Sequence, residues 1–199
     1  MDSSVSQDPA RTIGSYLWYK AYVSLTPSTC FILDDGHGRA VGYIIGTADT
    51  VGFAERWRST FAPIVDPKLV PPPEETVNDP AMETEMVRGL RRAVYGAECS
   101  VFQGEGREDL LRRFPAHLHI NLLPEFQRRG WGPALMQTFV QHVKALGADG
   151  VHLGMVRGNH GARRFYERLG FGLCQEVLDG GISGEVGREG EAIWLVREI

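Results

Sequence analysis

The stretch "NLLPEFQRRGWGPALM" (residues 121–136) decides how this chain reads. An apolar run leads into it and an amphipathic run leads out, so a strand, a glycine-bearing loop and a helix are expected in that order. Such an order is a physical recipe for holding an anion. The first N–H groups of a helix have no acceptor within the helix. The aligned peptide dipoles add partial positive charge at the same end. Gly130 and Gly132 let a ligand approach the backbone with no Cβ in the way. Arg128 and Arg129 add fork-shaped cationic donors suited to phosphate. The loop fits a pyrophosphate. It also fits a plain surface turn with solvated arginines, or part of a Rossmann GxGxxG loop. Against the Rossmann reading, Leu135 stands at the third glycine position and "PEFQRR" separates the glycines from the strand. GxxxxGK followed by Ser or Thr is missing, which excludes a Walker A loop.

Working outward, "AHLHINLL" (116–123) has strand character, and "GPALMQTFVQHVKALG" (132–147) is helical. Leu135, Phe139, Val143 and Leu146 share one face, and Gly147 is a natural stop. A second strand is expected over 150–156 and a second helix over 161–170, with Ala162, Phe165, Tyr166 and Leu169 at helical spacing. The remainder, 171–199, reads as two strands around a Gly-rich loop.

Upstream, "CFILDDGHGRAVGYIIGTAD" (30–49) is a β-hairpin with strands near 30–34 and 40–48. "YLWYKAYVSL" (16–25) fits strand or helix, and residues 1–12 read as a flexible tail. Residues 50–115 hold helical candidates at 53–65, 81–95 and 107–114 around a loop (67–80) with five prolines. This region is expected to be an insertion packed on one side of the sheet, with too few apolar residues for a core of its own. Residues 13–199 are thus expected to be one domain, β-α-β-α-β-β behind a hairpin. The class is α/β (α+β) with a single mixed sheet.

The 199 residues are 43% hydrophobic and 23% charged, with net charge −4, ordinary values for a globular protein. The basic balance of a nucleic-acid binder is missing. No run approaches the roughly 18–20 apolar residues that cross a bilayer. The polar start "MDSSVSQDPA" lacks the apolar region of a secretory signal. Cys30, Cys99 and Cys174 form no CxxC pair, so neither a disulfide framework nor a metal site is expected. A cytoplasmic protein is expected, or a nuclear one in a eukaryotic cell, with neither nucleic acid nor membrane as partner, as a monomer or homodimer.

"QRRGWG" matches the pattern Q/R-x-x-G-x-G/A of the GNAT superfamily of acetyl-CoA-dependent N-acetyltransferases. "RGNHGARRFYERLGF" (157–171) resembles that family's second signature, an Asn after the next strand and then a helix carrying Tyr three residues before Leu-Gly-Phe. More narrowly, "HLHINLLPEFQRRGWG", "VGYIIGTADT" and the helical insertion are similar to the acetyltransferase-like domain of O-GlcNAcase and its free-standing microbial relatives.

The resemblance implies a GNAT fold, with acetyl-CoA between two splayed parallel strands at about 117–123 and 150–156. Leu122 and Leu123 would pair with the acetyl and pantetheine amides. Gln127, Arg128, Arg129, Gly130, Trp131, Gly132 and Pro133 would hold the phosphates. Asn159, Arg163 and Tyr166 would complete the cofactor site. Tyr166 matches the family's proton donor to the departing CoA thiolate, and otherwise reads as a core tyrosine.

A small-molecule or peptide amine would be the acceptor. An amine of pKa near 10.4 must lose a proton to react, so a general base helps. His117, His119 and Asn121 alternate along one strand and share a face. His119, Asn121 and Asp49, at the end of the hairpin strand, are the catalytic candidates beside Tyr166. Asp49 also suits a helix cap. Relatives of the O-GlcNAcase-like group tend to carry Asp where this chain has Asn121, and Asn cannot act as a base. The expected activity is therefore acetyl transfer to a primary amine. The alternatives are a binding module that holds acetyl-CoA without turnover and an acyltransferase using a longer acyl-CoA.

Overall fold

The computed structural model describes residues 7–96, 108–175 and 192–199. Six strands form one sheet in the order β1-β2-β3-β4-β6-β5. They are β1 (Phe31–Asp34), β2 (Ala40–Thr47), β3 (Ala116–Leu122), β4 (Gly150–Val156), β5 (Gly172–Leu173) and β6 (Ala192–Glu198). The hairpin expected at "DDGHG" is present, its turn tied by Asp34 Oδ1 accepting from Gly36 N at 2.7 Å and Asp35 Oδ1 from His37 N at 2.8 Å. β2 and β3 run antiparallel over six register pairs, and β4 and β6 over seven. The central pair, β3 and β4, is parallel and meets at only two positions, Ala116↔Val151 and His117↔His152. Beyond those positions the two strands part.

Side chains alternate across the sheet, and each face carries its own core. On one face Ile44, Leu118 and Leu153 pack with Leu135, Phe139 and Val143 of α6 (Trp131–Ala145), with α7 (His160–Arg168) beside it. On the other, Ile45 joins Tyr22, Phe53, Trp57, Val87 and Val94. The second core comes from the N-terminal segment and from the region read as an insertion: α3 (Thr50–Arg56), α4 (Glu85–Gly96) and the turns between them. The insertion shares its apolar residues with the N-terminal helices, which is why its own content looked too small.

Residues 10–25 are helical throughout: α1 (Ala10–Ser15), a π-helical turn over Tyr16–Lys20, and α2 (Ala21–Leu25). Buried Ile13, Leu17 and Ala21 recur every four residues while Tyr19 and Val23 stay exposed, a helical stripe that resolves the ambiguity of this stretch. Of the stretch expected to be a flexible tail, residues 1–6 lie outside the described residues, while in 7–12 Asp8 accepts from Thr12 Oγ1 and Arg11 Nη2, both at 2.6 Å, and Ala10 is buried, as is Ile13 after it. α5 (Glu108–Arg113) precedes β3. Much of the Gly-rich C-terminal loop, Cys99 and residue 107 lie outside the described residues. No described helix is long and apolar enough to cross a membrane.

The proline-rich loop is tied down by Arg91, whose side chain is 1% exposed. Its guanidinium donates to the carbonyl oxygens of Pro71 (2.9 Å), Glu75 (2.6 Å), Pro72 and Met82, and to Glu83 Oε1 at 3.2 Å. Glu83 is thereby taken up in the fold, its carboxyl held below the usual range by the Val77 N–H and by Arg88 and Arg91. Replacing Arg91 with Met strips these acceptors of their donor. The expected loss is about 3 kcal/mol, read as a lower urea midpoint, and an unchanged midpoint would show that the loop holds without it.

Candidate active site

The parting of β3 from β4 creates the site. Leu123 N–H donates to Val41 O at 2.9 Å, so residues 121 and 123 direct their backbone toward β2. Ile120 and Leu122 therefore present N–H and C=O to the gap. This corrects the expectation for Leu123, whose amide is committed to β2 and whose carbonyl accepts from Phe126 N at 2.9 Å. Ile120, not anticipated, shares the gap edge with Leu122. Gln127 lies close by, its Nε2 donating to Leu122 O at 2.9 Å.

The loop that follows turns sharply. Arg128 and Gly130 both adopt left-handed conformations, with φ of 58° and 86°. Gly130 is the N-cap of α6, and a Cβ there would meet nothing within 4 Å. The glycine is needed for its backbone angle, and the space beside it is open. At Gly132 a Cβ would come within 3.0 Å of the Phe165 ring, so this position sets how closely α6 approaches α7. Among the described residues, no backbone carbonyl accepts from the amides of 128–132. Five adjacent donors at a helix N-terminus suit an anion. Arg128, Arg129 and Trp131 are exposed around it, with Arg129 5.8 Å over the Phe126 ring. Pro133 sits in the first turn of α6, where no N–H is required.

On α7, Asn159 is the N-cap, its Oδ1 accepting from Ala162 N at 3.0 Å. Arg163 pairs with Glu167 at 2.8 Å on the exposed side. Tyr166 is half-buried between Phe165 and Phe171, ring centroids 5.1 and 5.7 Å away. These residues lie on the α6 face of the sheet.

His117, His119 and Asn121 project to the opposite face, as their alternation predicts. Asn121 is exposed, and the two histidines meet one hydroxyl. Tyr22 OH lies 2.8 Å from His117 Nε2 and 3.0 Å from His119 Nε2, and His117 Nδ1 lies 2.6 Å from Thr50 Oγ1. Tyr22 was hidden in the segment left open between strand and helix, so no sequence signal could bring it to the histidines. Asp49 caps α3, Oδ1 accepting from Gly52 N at 3.0 Å, and Thr50 follows it into the core. The gap thus joins two faces: amide donors, Asn159 and Tyr166 on one side, the histidines and Asn121 on the other.

Burial holds these imidazoles neutral. His119 and His152 are pushed down to about 4 by loss of solvent. His117 is lowered by burial and by its neighbours His152 and His119.

Residues 101–171 match the model of the Acetyltransferase (GNAT) family. The crystal structure of SsHAT is 35% identical, with 96% of this chain and 82% of that one covered and a TM-score of 0.72. Lesser similarity is found to Naa20 of Chaetomium thermophilum, crystallised with a bisubstrate analogue (20% identity, 94% and 72% covered, TM-score 0.48). The same holds for a phosphinothricin acetyltransferase of Sinorhizobium meliloti in complex with acetyl-CoA (14% identity, 89% and 65% covered, TM-score 0.49).

Histidines of the unfolded chain titrate near 6.5. Between that pH and about 4 the unfolded state binds more protons than the folded one. Stability should fall as pH is lowered through this window, by up to about 1.4 kcal/mol per unit for each buried histidine. Thermal melts from pH 7.5 to 4.5 check this, and a midpoint independent of pH would contradict the burial of these rings.

Proposed function

The chain belongs to the GNAT acetyltransferase family, and on that premise we propose that it seats acetyl-CoA in the gap between β3 and β4 and passes the acetyl group to a primary amine on the histidine face. The observation that carries this reading is the backbone edge of Ile120 and Leu122, left by β4 with only the Leu122 carbonyl taken by Gln127, running into the amide cradle at 128–132. An extended amide-bearing arm can pair with such an edge as an added strand does, and a pyrophosphate suits the cradle. The residues present therefore fit the cosubstrate. When bound, it supplies an acetyl group activated as a thioester.

Each residue has a task in this reading. Ile120 and Leu122 orient the arm through their backbone. The amides of 128–132 offset phosphate charge, and Arg128 and Arg129 bring mobile positive charge to the same rim. Asn159 fixes the start of α7, which carries Tyr166. Tyr166 holds a proton on its phenolic oxygen for the sulfur that departs. His119, with Asn121 beside it, receives the proton that the amine gives up. The competing reading, a binder without turnover, draws on Asn121 standing where a carboxylate would serve and on Asp49 being engaged as a cap.

Acetyl-CoA should raise the melting temperature by linkage, and CoA release should follow with at least one member of a panel of spermidine, tryptamine, glucosamine and lysine peptides. Binding without release would favour the binder. Tyr166→Phe should lower kcat while leaving affinity for acetyl-CoA nearly intact, and equal kcat in both proteins would remove its role. At Gly130 a side chain meets open space, so Gly130→Val costs the fold only backbone strain, about 1–2 kcal/mol. It should weaken acetyl-CoA at least about tenfold, and titration calorimetry with retained affinity would argue against the cradle.

A further inference from the structure

Thr50, His117, Tyr22 and His119 form a continuous chain of three hydrogen bonds, 2.6, 2.8 and 3.0 Å long, running from the start of α3 to the middle of β3. Thr50, His117 and Tyr22 are buried, at 2%, 5% and 0% exposure. His119 is half-buried and neighbours Asn121 across one pleat. Geometry constrains the protons. A tyrosine hydroxyl donates one hydrogen bond and can accept others, and a neutral imidazole donates at one nitrogen and accepts at the other. Tyr22 is fully buried and, among the described residues, its hydroxyl meets only these two Nε2 atoms, so its proton goes to one of them. That Nε2 is bare and the other carries its proton. His117 and His119 are therefore opposite tautomers.

Each of the four neutral groups brings one proton, and the chain uses three. The surplus proton points out of one end. Either it lies on Thr50 and His119 Nδ1 is bare, or it lies on His119 Nδ1 and Thr50 donates inward. Only the first direction leaves His119 able to take a proton from an amine.

We infer that Tyr22 is a positioning residue: its hydroxyl accepts from His119 Nε2–H and donates to His117 Nε2, so that His119 presents a bare Nδ1 as proton acceptor toward the acceptor amine. The role rests on the acetyl-transfer reading. In the step, an N–H bond of the attacking amine breaks and an Nδ1–H bond forms. The resulting imidazolium keeps its Nε2–H on the Tyr22 oxygen and later yields the Nδ1 proton to water. Burial keeps His119 neutral at pH 7 and also lowers its affinity for a proton. The groups facing this chain are His152, its ring 5.5 Å from that of His117 and its Nδ1–H donating to Phe114 O at 2.6 Å, the Phe53 ring stacked on Tyr22 at 4.7 Å, and the half-buried thiol of Cys30; burial raises the Tyr22 phenol, and Cys30 adds to it.

Imidazole 15N spectra of the wild-type protein at pH 7, assigned with His119→Gln, read the tautomers directly and need no substrate. The expected result is His119 with Nε2 protonated and Nδ1 bare, and His117 the reverse. Equal tautomers, or a protonated His119 Nδ1, would overturn the inference. In Tyr22→Phe the fixed tautomer of His119 should be lost, and kcat with the fastest amine of the panel should fall at least about tenfold while KM for acetyl-CoA stays unchanged. Wild-type kcat in that variant would also overturn it. Wild-type protein that turns over no amine would sink the acetyl-transfer reading instead, and the spectra would still decide whether the chain is directed as stated.

Discussion

Everything in this fold turns on two parallel strands that stay paired at only two positions. A buried backbone amide or carbonyl without a partner costs on the order of 1–3 kcal/mol, so a sheet does not unzip at its centre without support. The support is lateral. Six register pairs hold β3 to β2 and seven hold β4 to β6, so each strand is secured on its outer side. α6 packs across one face, and the Phe165 ring sits against Gly132, with Leu122 4.0 Å from where its Cβ would lie. Apart from the Leu122 carbonyl, which accepts from Gln127, the inner edge of β3 beyond His117 is left with donors and acceptors that the sheet does not use. A ligand carrying amides can satisfy them.

The gap also passes through the sheet. Strand alternation puts leucines and isoleucine under α6 and histidines and Asn121 on the other side. In the proposed reaction, negative charge is therefore received on one face and a proton on the opposite face. The separation keeps the arginines of the loop away from the imidazoles, whose lowered proton affinity comes from burial and from one another. One backbone alternation thus accounts for both the binding edge and the electrostatics of the acceptor face.

Most of the sheet, α6, α7 and the glycine-bearing loop between β3 and α6 were legible in the sequence, because glycines, turn aspartates and apolar periodicity act locally. Asp49 and Asn159 were readable as residues at element ends for the same reason. What was not legible depended on register and on distant partners. Leu123 looked as available as Leu122 until the pairing with Val41 fixed which amides face the gap. Tyr22 lay in an aromatic stretch of undecided type, 95 residues from His117 and 97 from His119. Arg91 looked like one more cation on an amphipathic helix, since nothing local marks a guanidinium that will be buried against a loop some twenty residues back.

That buried arginine has an evolutionary side. Four of its acceptors are main-chain carbonyls, of Pro71, Pro72, Glu75 and Met82. A carbonyl is the same whatever side chain it carries. The path of the proline-rich loop is therefore fixed independently of most of the side chains it displays. Those side chains are free to be exchanged without re-routing the chain, which makes this segment a place where surface chemistry on the histidine side of the sheet can diversify while the scaffold beneath it stays put.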